Sequence, residues 1–189
     1  MKIETVHLEE ASTEHTESVL AVVESFLKEN NEIKHIVVAT TTGATGVAAA
    51  KRFPNHEVVV VTHHTGFSLP NENELDDANR KSILDAGAKL LTTTHAFAGV
   101  ARSFRKELGT WTPTELMAVA FRTFGQGTKV CAEIAMMAAD AGLVRVDKDV
   151  VTVGGTGFGA DTAWLVTPTN TSTFPKLRMK ACLCKPLKF

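Results

Sequence analysis

The stretch "VVATTTGATGVAAA", Val37 to Ala50, decides how this chain is read. A β-branched apolar run ends in Thr40, Thr41 and Thr42, Gly43 and Gly46 follow, and an alanine-rich helical pattern begins. Strand, tight turn and helix in that order open an α/β unit. The hydroxyls of Thr41, Thr42 and Thr45 and the bare backbone at two glycines also make a place for something small and polar. The plainer alternative is that Gly43 and Gly46 only form a turn and let a helix pack closely on a sheet.

The pattern repeats on either side. A helix is expected from about Thr13 to Asn30, with Thr13 as its cap and Val19, Leu20, Val23, Phe26 and Leu27 at helical spacing. The first strand is "HIVVATT", and its helix runs from Ala44 to about Phe53, stopped by Pro54. "HEVVVVTHH" is a second strand without alternation, hence buried on both faces. A polar helix from about Asn73 ends at Gly87, and "AKLLTTTHA" is the third strand. A helix from Phe97 to Leu108 stops at Gly109. "TPTELMAVAFRTF" then opens with a capping box, Thr112 as cap and Glu115 three residues on. "GQG" breaks that helix, and another begins near Thr128 and ends at Gly142. "DVVTVGG" is the fourth strand.

Only "TGFGAD" separates the fourth strand from a fifth, "TAWLVTP". A parallel crossover needs about a dozen residues, so the fifth strand runs antiparallel to the fourth. "KLRMKACLCKP" is a last strand-like piece, at an edge or on a neighbouring subunit. The expectation is a single domain over residues 1–189. It is a three-layer αβα sandwich with a mixed five-stranded sheet of order 3-2-1-4-5, strands counted as above.

In such a sheet, ligands bind beyond the carboxyl ends of the strands where the order reverses, here between the first and fourth. "TTTGATG" and "GGTGFGAD" meet there. The first loop enters a helix, whose free N–H groups and positive end favour a phosphate. Gly155, Thr156 and Gly157 add amides, and Asp161 either accepts hydrogen bonds from a ligand or fixes its own loop. Neither loop is a nucleoside-triphosphatase motif. His63, His64 and His95 fall at the ends of the second and third strands, as ligand hydrogen-bonders or as an acid or base. His63 and His64 point to opposite faces, which argues against a shared metal. Gln126 and Lys129, with Arg122, surround the glycine-flanked helix break, and Phe67 and Trp111 are loop aromatics able to cover a ring.

Bulk composition narrows the classes. Of 189 residues 44% are hydrophobic and 22% charged, with a formal net charge of −1. That balance gives no reason to expect nucleic acid or an anionic membrane as partner. The polar start "MKIETVHLEE" is unlike a signal peptide, so the cytoplasm is the expected compartment. Three cysteines make no disulfide framework, and Cys182 and Cys184 lack further metal ligands nearby. No metal is expected.

The strings "VVATTTGATGVAAAKRFPNHEVVVVTHHTGF", "LLTTTHAFAGV", "FGQGTKVCAEIAMMAADAGLV" and "VGGTGFGADTA" together resemble a small, largely archaeal family of stand-alone proteins with the fold of the pyruvate kinase C-terminal domain. The resemblance implies the mixed sheet above and a phosphate held at Thr41, Thr42, Gly43, Thr45 and Gly46. It implies no phosphotransfer, because the catalytic barrel of pyruvate kinase has no counterpart in these residues. The loop also lacks the basic residue of pyruvate kinase, leaving neutralisation to amides or to Lys129. The resemblance further implies bound flavin mononucleotide, with oxidoreductase activity left open, or else a non-catalytic sensor of a sugar phosphate or nucleotide. A homo-oligomer is expected, since the apolar last strand needs cover.

Overall fold

The computed structural model describes residues 4–189. Seven strands form one sheet: β1 (Val6–Glu10), β2 (His35–Thr40), β3 (Glu57–Thr62), β4 (Lys89–Thr92), β5 (Val150–Gly154), β6 (Thr162–Thr167) and β7 (Arg178–Lys188). Their spatial order is β1-β7-β6-β5-β2-β3-β4. The inner block β4-β3-β2-β5-β6 is the expected 3-2-1-4-5 arrangement. β5 lies parallel to β2 and β6 antiparallel to β5, with Thr152 opposite Trp164.

Two strands extend the five. β7 pairs antiparallel with β6, and β1 pairs parallel with β7 in the register Val6 to Cys184. The expectation that the last strand needs an edge or a neighbouring subunit is thereby corrected: the chain's own N-terminal segment covers it. β1 escaped the sequence reading because "VHLEE" is exposed along nearly its whole length and shows no apolar alternation.

Six α-helices complete the layers: α1 (Thr16–Glu29), α2 (Ala44–Arg52), α3 (Asp77–Asp85), α4 (Gly99–Leu108), α5 (Pro113–Arg122) and α6 (Gln126–Asp140). Successive side chains of a strand point to opposite faces, so the valine runs serve two cores at once. Ile36, Val38, Val58, Val60, Val151 and Val153 pack with Val19, Leu20 and Val23 of α1 and Ala49 of α2. Val37, Val59, Val61 and Val150 pack on the other face with Ile134, Ala135, Met137 and Ala138 of α6. A smaller cluster of Phe97, Ala118, Ala132 and Met136 attaches the α5 side.

Two helix caps differ from expectation. Ser12, not Thr13, is the first cap: its Oγ accepts from the Glu14 N–H within a short 3-10 turn before α1. The capping box at Thr112 does not close, because the buried Glu115 carboxylate is drawn into an ion pair with the half-buried Arg105 at 2.7 Å. A charged partner outcompetes the cap's amide for that carboxylate.

Candidate functional site

The two glycine loops do meet. The Thr41 hydroxyl donates to the Gly157 carbonyl at 3.1 Å, joining the loop after β2 to the loop after β5. Much of the first loop, however, is committed to the fold. Gly43 sits at φ +104°, and a Cβ there would lie 2.5 Å from Cβ of Asn79, so only glycine fits. Its N–H donates to Thr40 Oγ1, and the Thr42 carbonyl accepts from the Asp76 N–H and Asn79 Nδ2. Gly46 lets α2 lie on β3, since a Cβ would come 2.6 Å from Val60. The packing role of that glycine is the one realised.

Asp161 is almost wholly buried. It accepts from the Thr156 N–H at 3.0 Å and from the Thr162 hydroxyl at 2.6 Å, so it fixes its own loop. Gly127 at the start of α6 has no room for a side chain either, because a Cβ would be 2.2 Å from Thr162 Oγ1.

Between these loops and the α4–α6 side lies a cavity of about 250 Å³. Of the residues expected at the site, Thr41, His63, His95, Gln126, Lys129, Gly155 and Gly157 line it. Thr42 and Thr45 instead face a second hollow of about 370 Å³ on the α1–α2 side, along with Thr16 and Glu17. Gly43, Gly46, His64, Thr156 and Asp161 belong to neither lining. The helix end and its threonines therefore open away from the main cavity, because β2 and its loop separate the two faces of the sheet.

Charge distinguishes the main cavity. Arg102 from α4, Arg122 from α5 and Lys129 from α6 all line it, with Glu133 as the one carboxylate in the lining. Lys129 and Glu133 form a buried ion pair one helical turn apart, and Glu133 also accepts from the Phe97 N–H at 2.8 Å. Burial pushes the Lys129 ammonium down from its usual range, against the opposing pull of Glu133. Arg122 Nε donates to Gln126 Oε1 at 2.7 Å. Arg102 lies over the Phe67 ring at 5.4 Å, and its Nε is buried without a hydrogen-bond partner among the described residues. A buried guanidinium N–H is normally paired, and acceptors with negative charge pair with it most strongly.

The histidines gather around Phe67, the ring that Arg102 overlies. His63 stacks on Phe67 with centroids 3.8 Å apart, and the His95 ring is 5.4 Å from His63 and 5.2 Å from His64. His63 Nδ1 is 2.6 Å from Glu74 Oε2. Burial works against ionisation of Glu74, but hydrogen bonds from His63 and Ser68 outweigh it and hold the carboxyl below its usual range. Burial drives His95 down to about 4, only partly countered by Glu133, so His95 is neutral near neutral pH. His64 bonds the Thr65 carbonyl.

Sequence reasoning missed Arg102, Glu133 and Glu74. Glu133 carried a usable signal: it stands four residues after Lys129 on a helix that is otherwise apolar, the spacing of a pair. Arg102 carried none, since arginine on the polar side of a helix is the ordinary solvated case. Burial raises the Cys182 and Cys184 thiols to about 11 and about 12, so both stay protonated on β7. Among the described residues no group of three or more His, Cys, Asp or Glu could hold a metal ion. No helix among them is long and apolar enough to cross a membrane.

Comparison with known proteins gives two findings. The family model described as "Pyruvate kinase, alpha/beta domain" matches residues 17–166, most of the chain and the inner five strands up to the last residue but one of β6. Among solved structures, O-ureido-L-serine synthase aligns with a TM-score of 0.31 at 17% identity, taking in 69% of this chain and 48% of that one. The chain thus spans about half the length of that structure.

Proposed function

Because the chain belongs to the pyruvate kinase alpha/beta domain family, we propose that the cavity beside β2 and β5 binds a small phosphorylated ligand. One observation carries the reading: Arg102, whose buried Nε has no hydrogen-bond partner among the described residues, lines a hollow shared with Arg122 and Lys129. Glu133 compensates Lys129, so the two arginines supply the surplus positive charge. On this reading the phosphate sits against the arginines rather than on the α2 end, where among the described residues no cation lines the hollow.

Flavin mononucleotide is the ligand that the family resemblance brings forward. The residues present suit it: arginines for the phosphate, and the stacked His63–Phe67 pair as a flat wall for a ring. When bound, a flavin supplies hydride or single-electron transfer. This chain's residues would grip the phosphate, shield the ring from water, and offer the His95 imidazole as a neutral hydrogen-bond partner. A second reading, a phosphorylated sugar, is favoured by size, since about 250 Å³ lies below the range usual for larger ligands.

Titration calorimetry with flavin mononucleotide, riboflavin, inorganic phosphate and fructose 6-phosphate tests both. Binding of flavin mononucleotide but not riboflavin supports the first reading, and binding of the sugar phosphate alone supports the second. Absence of heat or thermal stabilisation with every phosphorylated compound overturns the proposal.

A further inference from the structure

Three histidines surround one end of the cavity, and their partners make them unequal. His64 spends its Nδ1 on the Thr65 carbonyl and does not line the cavity. His95 lines it without a carboxylate partner, and its ring lies nearest His63, His64 and Phe67. His63 alone combines a cavity position with a carboxylate on one ring nitrogen, Glu74 at 2.6 Å. When Nδ1–H donates to that carboxylate, the neutral ring keeps Nε2 as its proton acceptor. The ring cannot easily turn, because Phe67 stacks on its face and Glu74 holds Nδ1.

We propose that His63, oriented by Glu74, is a proton-transfer group of this cavity, and that its substrate is a phosphorylated ketose from which it removes the C–H proton beside the carbonyl. The inference rests on the phosphorylated-ligand reading and deepens its sugar form. The charge inventory fits the chemistry. Arg102, Arg122 and Lys129 face one carboxylate, Glu133, a net of two positive charges, which matches a phosphate monoester carried mostly as its dianion. Deprotonation puts a further negative charge on the oxygen of an enediolate, which N–H donors lining the cavity, those of the arginines and of His95, stabilise.

The step balances without a redox partner. His63 Nε2 takes the proton and becomes an imidazolium, the C–H electron pair becomes the C=C bond, and the carbonyl oxygen takes the negative charge. His95, 5.4 Å from His63 between ring centres, can donate a hydrogen bond to that oxygen. Return of the proton to the same carbon restores the ketose; its return to the neighbouring carbon, with the hydroxyl proton passing to the former carbonyl oxygen, yields the aldose. Glu74 is a positioning residue, since it does not line the cavity.

The experiment incubates the full chain with dihydroxyacetone phosphate and, separately, fructose 6-phosphate in D₂O, following loss of the carbonyl-flanking proton by NMR. Binding of the same compounds is measured in parallel by calorimetry. The expected result is exchange above buffer background, lowered by about 100-fold or more in His63→Gln with affinity changed less than about threefold. Glu74→Gln should lower exchange less and alter its pH profile, which a merely structural loss would not do. Binding without exchange in the unmodified protein, or exchange surviving in His63→Gln, overturns the inference and leaves the binding reading standing. Failure of both ketoses to bind sinks the inference together with the sugar-phosphate reading.

Discussion

Helices α6 and α4 each bring a cation to the same cavity, and they are anchored in opposite ways. Twelve of the fifteen residues of α6 are buried, and its N-terminal Gly127 is wedged against Asp161 and Thr162. None of the ten residues of α4 is buried, and its Val100, Phe104 and Leu108 stripe faces water. Lys129 is therefore part of the core and carries its own counter-ion, whereas Arg102 reaches in from a helix that contributes little to the core. The contrast separates what holds the fold from what holds a ligand.

The sharpest way to break that contrast is to remove the counter-ion on α6. Glu133→Ala leaves Lys129 as an uncompensated buried charge and the Phe97 N–H without its acceptor, so unfolding free energy should fall by about 3–5 kcal/mol. Denaturant titration reads it, and a loss below about 1 kcal/mol would mean that the pair is not buried as described. Gly127→Ala comes next, with about 1–3 kcal/mol lost because the new methyl meets Thr162 and Asp161. Unchanged thermal stability there would show that α6 can back away from β6.

Acid should act through His95. Its folded value is depressed to about 4 from the usual 6.5, so the unfolded chain binds the extra proton first. Stability contributed by this group is complete above pH about 6.5 and is lost as pH falls towards about 4, by at most about 3 kcal/mol. His95→Gln should flatten that part of the stability–pH curve; an unaltered curve would assign the effect to carboxylates instead. The smallest change in stability belongs to α4. Arg102→Gln should stay within about 0.5 kcal/mol of the parent, yet weaken binding of a phosphorylated ligand about tenfold or more. A stability loss as large as that of Glu133→Ala would erase the distinction between the helices.

The inner five strands were legible because their physics is local. Valine runs buried on both faces, glycine-ended helices and a six-residue link too short for a crossover set both order and direction. β1 was not legible, because an exposed polar edge strand is recognised only by the strand it meets, and Val6 meets Cys184. At the site, the seven expected residues that line the cavity come from strand ends and the α6 start, places that topology fixes. Thr42, Thr45 and Gly46 look equally ligand-like in sequence, but the turn that exposes Thr41 sends them to the other side of the sheet. Arg102 belongs to the site through the placement of a whole helix, which no spacing within "GVARSFRKEL" encodes.

The pairing of Val6 with Cys184 also orders events in time. Synthesis runs from the amino end, so β1 must wait, unpaired, until β7 has been made. Before then the nascent domain can assemble its inner strands but not its outer border. The growing chain therefore presents an unfinished β-edge until β7 arrives, and an unpaired edge is a template for a strand from another copy.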